Sequence, residues 1–104
     1  MKILYNITIK IESPLQEEWL KWMKSVHIPD VMSTGHFESY KLTKILGDDD
    51  EYGLGFAIQY VALNIESFNR YQTNDAKRLQ LEHSSRYEGK YVAFRTLMEI
   101  VEEG

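Results

Sequence analysis

The stretch ILYNITIKI, residues 3–11, predicts the first element of the fold. Isoleucine or tyrosine occupies every odd position, and polar residues occupy positions 6, 8 and 10. This period of two is typical of a β-strand with one buried face. The strand ends at the following ESP, because Ser13 can cap a helix and Pro14 suits the first helical turn. The sequence therefore predicts a strand followed directly by a helix.

The rest of the chain continues this alternation of strands and helices. The first helix is predicted to run to about Val26, with Pro29 and Gly35 closing a short irregular or helical segment. A second helix, from Glu66 to Tyr87, should break near TNDAK. The remaining strands are predicted at HFESYKLTKIL (36–46), YGLGFAIQYVAL (52–63) and KYVAFRTLMEIV (90–101). The order β-α-β-β-α-β predicts a single α+β domain over residues 1–104, a ferredoxin-like sandwich with an antiparallel sheet of order 4-1-3-2 and two helices on one face.

Apolar residues occupy both faces of the last two predicted strands. In the fourth strand Val92, Phe94 and Met98 lie on one side, and Tyr91 and Leu97 lie on the other. Two helices can cover only one face of the sheet, so the second apolar face needs another partner. The simplest partner is a second copy of the chain, which predicts a homodimer of the dimeric α+β barrel type.

Composition excludes several classes of protein and site. The formal net charge of −4 argues against nucleic acid or an anionic membrane as the main partner. The absence of cysteine excludes disulfides, thiolate nucleophiles and cysteine-ligated metals. The acidic turn GDDDE lacks the spacing of a calcium loop, so we expect no metal and no other cofactor. No stretch approaches the roughly 20 apolar residues of a membrane span or forms a signal peptide, and we expect a cytoplasmic protein.

Five strings of sequence, YNITIKI, EEWLKWMKSVHIPDVMSTGHF, IQY, DAKRL and GKYVAFRT, span nearly the whole chain. They resemble the domain-of-unknown-function family 4286, within the dimeric α+β barrel group. The resemblance implies the ferredoxin-like fold and the dimer, and it implies no activity. The wider fold group includes cofactor-free monooxygenases, haem-degrading enzymes, small isomerases and ligand-binding proteins, so the function has to be argued from the site.

The first helix carries a stripe of large apolar side chains, among them Trp19, Trp22 and Met23. One interpretation is that they pack on the sheet as ordinary core residues. The other is that they line a ligand cavity between helix and sheet, together with Phe68 and Tyr71 of the second helix. Both interpretations fit the sequence.

His27, at the end of this stripe, is the best polar candidate for a site. It titrates near neutral pH and could act as a general base or orient a ligand. The alternative is a histidine that stabilises the helix C-terminus through the dipole and the free carbonyls. No partner carboxylate can be assigned to His27 from the sequence.

Asn6, Gln59 and Arg95 form a second polar set. Alternation along the strands predicts that all three lie on the face away from the helices, inside the proposed dimer. There they would form a polar network that fixes the register of the dimer core. The alternative is that the arginine holds an anion in a ligand cavity.

Two hypotheses about function follow. The first is a small-molecule binding protein, or a cofactor-independent enzyme resembling a monooxygenase or an isomerase, that takes a small apolar or aromatic molecule. The second is a structural or regulatory homodimeric interaction module without catalysis. A pocket of at least ~300 Å³ that reaches His27 would favour the first. A solid core with His27 turned to water would favour the second.

Overall fold

A computed structural model describes all 104 residues, and it contains four strands and four α-helical segments. The sheet is antiparallel throughout and its order is β2-β3-β1-β4, which confirms the predicted order 4-1-3-2 counted from the other edge. The elements are β1 Ile3–Glu12, α1 Gln16–Trp22, α2 Ile28–Met32, β2 Ser39–Lys44, β3 Gly53–Ala62, α3 Ile65–Asn74, α4 Ala76–Tyr87 and β4 Tyr91–Glu99.

The first helical region is longer than predicted, because a π turn over Met23–His27 joins α1 to α2 without a break. Pro29 explains the turn: it has no N–H, and in a regular α-helix its ring would crowd the carbonyl of Ser25. In the π turn the N–H of Ile28 donates instead to the carbonyl of Met23, five residues back. The backbone is widened just before the proline, and the helix continues to Met32.

The second helical region breaks at Asp75, between α3 and α4, as the sequence predicts. The side chain of Asn64 caps α3 by accepting a hydrogen bond from the N–H of Ser67. At the break the Asp75 carboxylate contacts both His36 and Arg78, at 3.2 and 3.0 Å. These contacts fix the loop after α2 to the junction of the two helices.

The helices cover one face of the sheet. The odd-numbered side chains of β1 point to that face, and so do the even-numbered side chains of β3, which include Phe56 and Ile58. Trp19 and Leu79, from the two helical regions, pack against them and are completely buried. The hydrophobic core therefore lies between the sheet and the two helical regions.

The other face of the sheet, which we call the open face, has no helix on it. It carries Leu4 of β1, Val61 of β3, and Val92, Phe94 and Met98 of β4. The three β4 side chains are between 38% and 63% exposed. The open face is therefore apolar along β4, in agreement with the pattern in the sequence.

The predicted placement of Arg95 on the open face is wrong. Asn6 pairs with Gln59 on the open face, but Arg95 pairs with Ile7 and therefore lies on the helix face. The side-chain period of a strand is two, so the sequence shows which residues share a face but not which face meets the helices. The pairing of β4 with β1 makes that choice, and Thr96 is the β4 residue that lies beside Asn6.

Substitution of two phenylalanines on opposite faces of the sheet tests the assignment of a covered face and an open face. Phe56 is 3% exposed under the helices and Phe94 is 63% exposed on the open face. In dilute solution we expect Phe56→Ala to lower the free energy of unfolding by about 3–5 kcal/mol. We expect Phe94→Ala to change it by no more than about 0.5 kcal/mol. Urea unfolding measures both, and equal losses would contradict the assignment of the faces.

Candidate functional site

A small cavity lies between the helices and the sheet. Its volume is about 30 Å³, which is room for one or two water molecules. Ten of its fourteen lining residues are aliphatic or tyrosine, and four polar side chains complete the wall: His27, Gln80, His83 and Arg95. The cavity reaches His27, but it is far smaller than the pocket of ~300 Å³ that would accept a drug-sized ligand.

Of the six side chains predicted to line a ligand cavity, three line this small cavity and three lie behind its wall. The lining residues are Met23, His27 and Tyr71, and those outside the lining are Trp19, Trp22 and Phe68. The ring of Phe68 packs against the ring of Tyr5, with centroids 5.0 Å apart and an interplanar angle of 60°. The three outer aromatic side chains therefore support the wall of the cavity and do not form its surface.

His27 is held against a carboxylate. Its Nδ1 lies 3.1 Å from Oε1 of Glu82 on α4. A carboxylate accepts hydrogen bonds, so the neutral imidazole carries its proton on Nδ1 and leaves the lone pair of Nε2 free. Burial lowers the pKa of His27 below its ordinary value, and Glu82 opposes that shift by favouring the charged ring. His27 is thus a histidine with an oriented ring in the wall of a cavity.

The π turn sets the position of the His27 ring. Trp22 and His27 are five residues apart, the spacing that one π turn brings to the same side of a helix. Their rings stack with centroids 5.2 Å apart and an interplanar angle of 23°. The indole of Trp22 therefore fixes one face of the imidazole, while Glu82 fixes its Nδ1.

His83 is the second histidine of the site. It is hydrogen-bonded through Nε2, whereas His27 is hydrogen-bonded through Nδ1. Its Nε2 accepts a hydrogen bond of 2.9 Å from Nε1 of Trp19. Burial, together with the positive charges of His27 and Arg95, lowers the pKa of His83 to about 4. His83 is therefore a neutral ring at physiological pH.

Arg95 forms the outer side of the site. Its side chain belongs to edge strand β4, is exposed, and makes no ion pair with any carboxylate. Within the cavity, burial raises the pKa of the Tyr5 phenol, while Arg95 and Gln80 act in the opposite direction. Burial also raises the pKa of Tyr71, so both phenols are protonated and neutral. Arg95 is consequently a cation without a counterion beside a group of neutral polar side chains.

Several residues of the site had no clear signal in the sequence. His83 lies within the second predicted helix, and nothing in the sequence indicates its bond to Trp19, which is 64 residues away. Glu82 looks like any surface glutamate of a helix, and it meets His27 across 55 residues. Arg95 was assigned to the opposite face. These partners depend on how α4 packs across the first helical region.

The structure lacks two features, a group of metal-binding side chains and a membrane-spanning helix. No three histidine, aspartate or glutamate side chains are grouped to hold a metal ion. None of the helices has the length and apolar character needed to cross a membrane.

The fold occurs in solved structures of very different sequence, whereas no curated protein matches the chain in sequence. A dimeric ferredoxin-like protein from an uncultured marine organism shares 13% identity, with a TM-score of 0.74 over 98% of this chain and 97% of the other. A variant of SnoaB, a cofactor-independent oxygenase from Streptomyces nogalater, shares 10% identity, with a TM-score of 0.70 over 98% and 95%.

A variant of MhuD with two manganese protoporphyrin IX molecules bound per active site also has this fold. It shares 10% identity, with a TM-score of 0.70 over 98% of this chain and 97% of the other. Identities this low show a common ferredoxin-like fold and nothing about activity. Residues 2–101, by contrast, match a sequence family directly, and the chain belongs to the DUF4286 family, a domain of unknown function.

Proposed function

We propose that this protein binds a small, partly apolar molecule with an acidic group in the cavity between helices and sheet, and that His27 takes a proton from it. The observation that carries the proposal is the His27–Glu82 pair in the wall of that cavity. The reaction is acid–base chemistry that the side chains of the chain can perform without a cofactor. The ligand classes are small carboxylic acids, phenols and acidic carbonyl compounds.

The His27–Glu82 pair has the features of a general base. Nδ1 is bound to the Glu82 carboxylate, so Nε2 is the nitrogen that remains to accept a proton from the ligand. When Nε2 takes a proton, the ring becomes a cation beside a carboxylate 3.1 Å away, which stabilises the protonated state. A histidine that merely capped a helix C-terminus would not need this partner.

Arg95 supplies the second part of the proposal, a positive charge for the anion that proton transfer leaves behind. Its guanidinium has no carboxylate partner, although carboxylates are common on this acidic chain. Arginine recognises carboxylates and other oxyanions through its fork of N–H donors. An anion between Arg95 and protonated His27 would be held from two sides.

The size of the cavity limits the ligand. A volume of about 30 Å³ has room for only one or two non-hydrogen atoms, so only the reactive end of a longer ligand enters it. The longer ligand would extend past Arg95, because edge strand β4 is the exposed side of the site. Met23 also lines the cavity, and its flexible side chain can adapt to ligands of different shape.

Binding to wild type and to three single variants tests the proposal. In a thermal-shift screen of small carboxylates and phenols, we expect ligands whose affinity falls roughly tenfold or more in Arg95→Gln, because a charge-assisted hydrogen bond is lost. His27→Gln should lower the affinity for the acidic form of the same ligands. The control is Lys41→Gln, which removes an exposed cation from the open face. Ligands that bind all four proteins equally would refute the proposed site.

Because the two histidines are neutral when buried, the stability of the folded protein should depend on pH. The folded-state pKa values of His27 and His83 are lowered from 6.5, that of His83 to about 4, so the unfolded chain binds more protons than the folded chain between these values. Stability must then fall as pH drops below about 6.5. For His83 alone the loss at pH 5 is on the order of 2 kcal/mol.

Urea unfolding at pH 7 and pH 5 measures this loss. His83→Gln removes one titrating ring, so the variant should lose less stability between the two pH values than the wild type. An unchanged difference would show that His83 is not buried in its neutral form.

A second candidate function, the homodimeric interaction module, is favoured by a different observation. The open face exposes Val92, Phe94 and Met98 side by side along β4, while the cavity is small. A second copy of the chain, packed sheet to sheet, would cover these side chains. Similar structures that are described as dimeric support this arrangement. The dimer is compatible with either function.

A charge introduced on the open face tests the dimer. Phe94→Asp would bury two unpaired carboxylates in a symmetric interface, and we expect the dimer dissociation constant to rise roughly a hundredfold, about 3 kcal/mol. Leu46→Asp is the matched control, because Leu46 is 90% exposed in the turn after β2. Sedimentation velocity at micromolar concentration should show a dimer for wild type and Leu46→Asp. A monomeric wild type would eliminate the dimer.

A further inference from the structure

The two histidines of the cavity are held in the same tautomer by opposite kinds of partner. Trp19 Nε1 can only donate a hydrogen bond, so Nε2 of His83 must be the unprotonated nitrogen and the neutral ring carries its proton on Nδ1. The Glu82 carboxylate can only accept, so His27 also carries its proton on Nδ1. Each ring thus has one nitrogen bound within the protein.

The nitrogens that remain free have opposite character. His27 keeps the lone pair of Nε2, and His83 keeps the N–H of Nδ1; no protein group binds either atom. Neither atom is sealed inside the protein, because every fully buried side-chain nitrogen or oxygen has a hydrogen-bond partner. Both residues are nearly buried and both line the cavity. We infer that both free nitrogens face this cavity, so that one imidazole accepts a hydrogen bond there and the other donates one.

The two rings are close enough to act on one small molecule. Their centroids are 5.7 Å apart and the planes meet at 63°. Arg95 lines the same cavity and adds a positive charge to it. A molecule that fits must present an acidic proton to one histidine and an acceptor oxygen to the other.

We propose that the ligand is a small enolisable carbonyl compound, with its acidic C–H at Nε2 of His27 and its carbonyl oxygen at Nδ1–H of His83. Trp19 is then a positioning residue, since its indole N–H fixes the tautomer that makes His83 a donor. This inference rests on the proposed function of the same cavity and narrows its substrate class. It assigns to His83 the role of stabilising charge on oxygen.

In the proposed step His27 removes a proton from the carbon next to the carbonyl group, and the product is an enolate. The C–H bond next to the carbonyl breaks and its proton goes to Nε2 of His27, while the electron pair forms a C=C bond. The electrons of the C=O π bond move to oxygen, which becomes an enolate. The enolate oxygen accepts hydrogen bonds from Nδ1–H of His83 and from Arg95, and the imidazolium of His27 is stabilised by Glu82. Return of the proton from Nε2 of His27 to the same carbon restores the carbonyl compound and completes the exchange without any oxidant.

The first experiment measures the tautomers by side-chain ¹⁵N NMR on the wild-type protein at neutral pH. We expect both His27 and His83 to show a protonated Nδ1 and an unprotonated Nε2. In Trp19→Phe the Nε2 of His83 should become protonated in a large fraction of molecules, and in the control Trp22→Phe it should not. A protonated Nε2 of His83 in the wild type would overturn the inference, whether or not the cavity binds a ligand.

The second experiment uses hydroxyacetone in D₂O and follows exchange of its C–H hydrogens by ¹H NMR. Wild type should accelerate exchange over buffer, and His27→Gln should return the rate to that of buffer. Trp19→Phe should lower the rate at saturating hydroxyacetone by about tenfold or more, with little change in affinity. Propane-1,2-diol, which lacks the carbonyl, should bind more weakly and show no exchange.

The outcomes separate this inference from the proposed function. If carboxylates or phenols bind in a His27-dependent way but hydroxyacetone does not exchange, the enolisation inference fails and the acid-binding site stands. If neither class of ligand binds, both proposals fail. If exchange is accelerated equally by wild type and His27→Gln, the role of His27 as the base is wrong.

Discussion

The hydrogen bond between Trp19 and His83 connects the parts of the structure on which the site depends. Trp19 lies on α1, is fully buried, and packs against Phe56 of β3 with ring centroids 5.0 Å apart. Its N–H has a partner because α4 brings His83 to it at 2.9 Å. A buried donor without a partner costs about 1–3 kcal/mol, so the bond favours one arrangement of the two helical regions over the sheet. The same bond decides which nitrogen of His83 is left without a partner in the protein.

Pro29 exerts a second constraint, and its effect is local. The π turn that accommodates it sets Trp22 and His27 on one side of the helix, where their rings stack. A regular α-helix would place residues four apart, not five, on the same side. His27 reaches Glu82 from the last residue of this turn. A proline two residues after a histidine therefore has a consequence for the orientation of the imidazole, in addition to its effect on the backbone.

The two faces of the sheet have different environments: the helices cover one, and the other is open. On the helix face the aromatic side chains fill the interior so completely that the remaining cavity is about 30 Å³. At edge strand β4 the cover is less complete, since Tyr91 is half-buried and Arg95 is exposed. Alternate side chains of β4 lie on opposite faces of the sheet: Arg95 lines the cavity, and Phe94 lies on the open face. The cavity and the apolar open face therefore meet at this edge strand. Ligand binding and dimer formation would thus share one strand.

The amino-acid sequence alone predicts the order of the elements, the four-stranded antiparallel sheet and the apolar character of both sheet faces. These follow from periodicity and from single residues such as Pro14, and they involve neighbours within a few positions of the chain. It also pointed to His27, because a histidine at the end of an apolar stripe stands out. It could not provide Glu82 or the role of His83, since those contacts join residues 55 and 64 positions apart. It misplaced Arg95 for a related reason: alternation defines two faces, and only the pairing of β4 with β1 and the packing of the helices decide which face is covered.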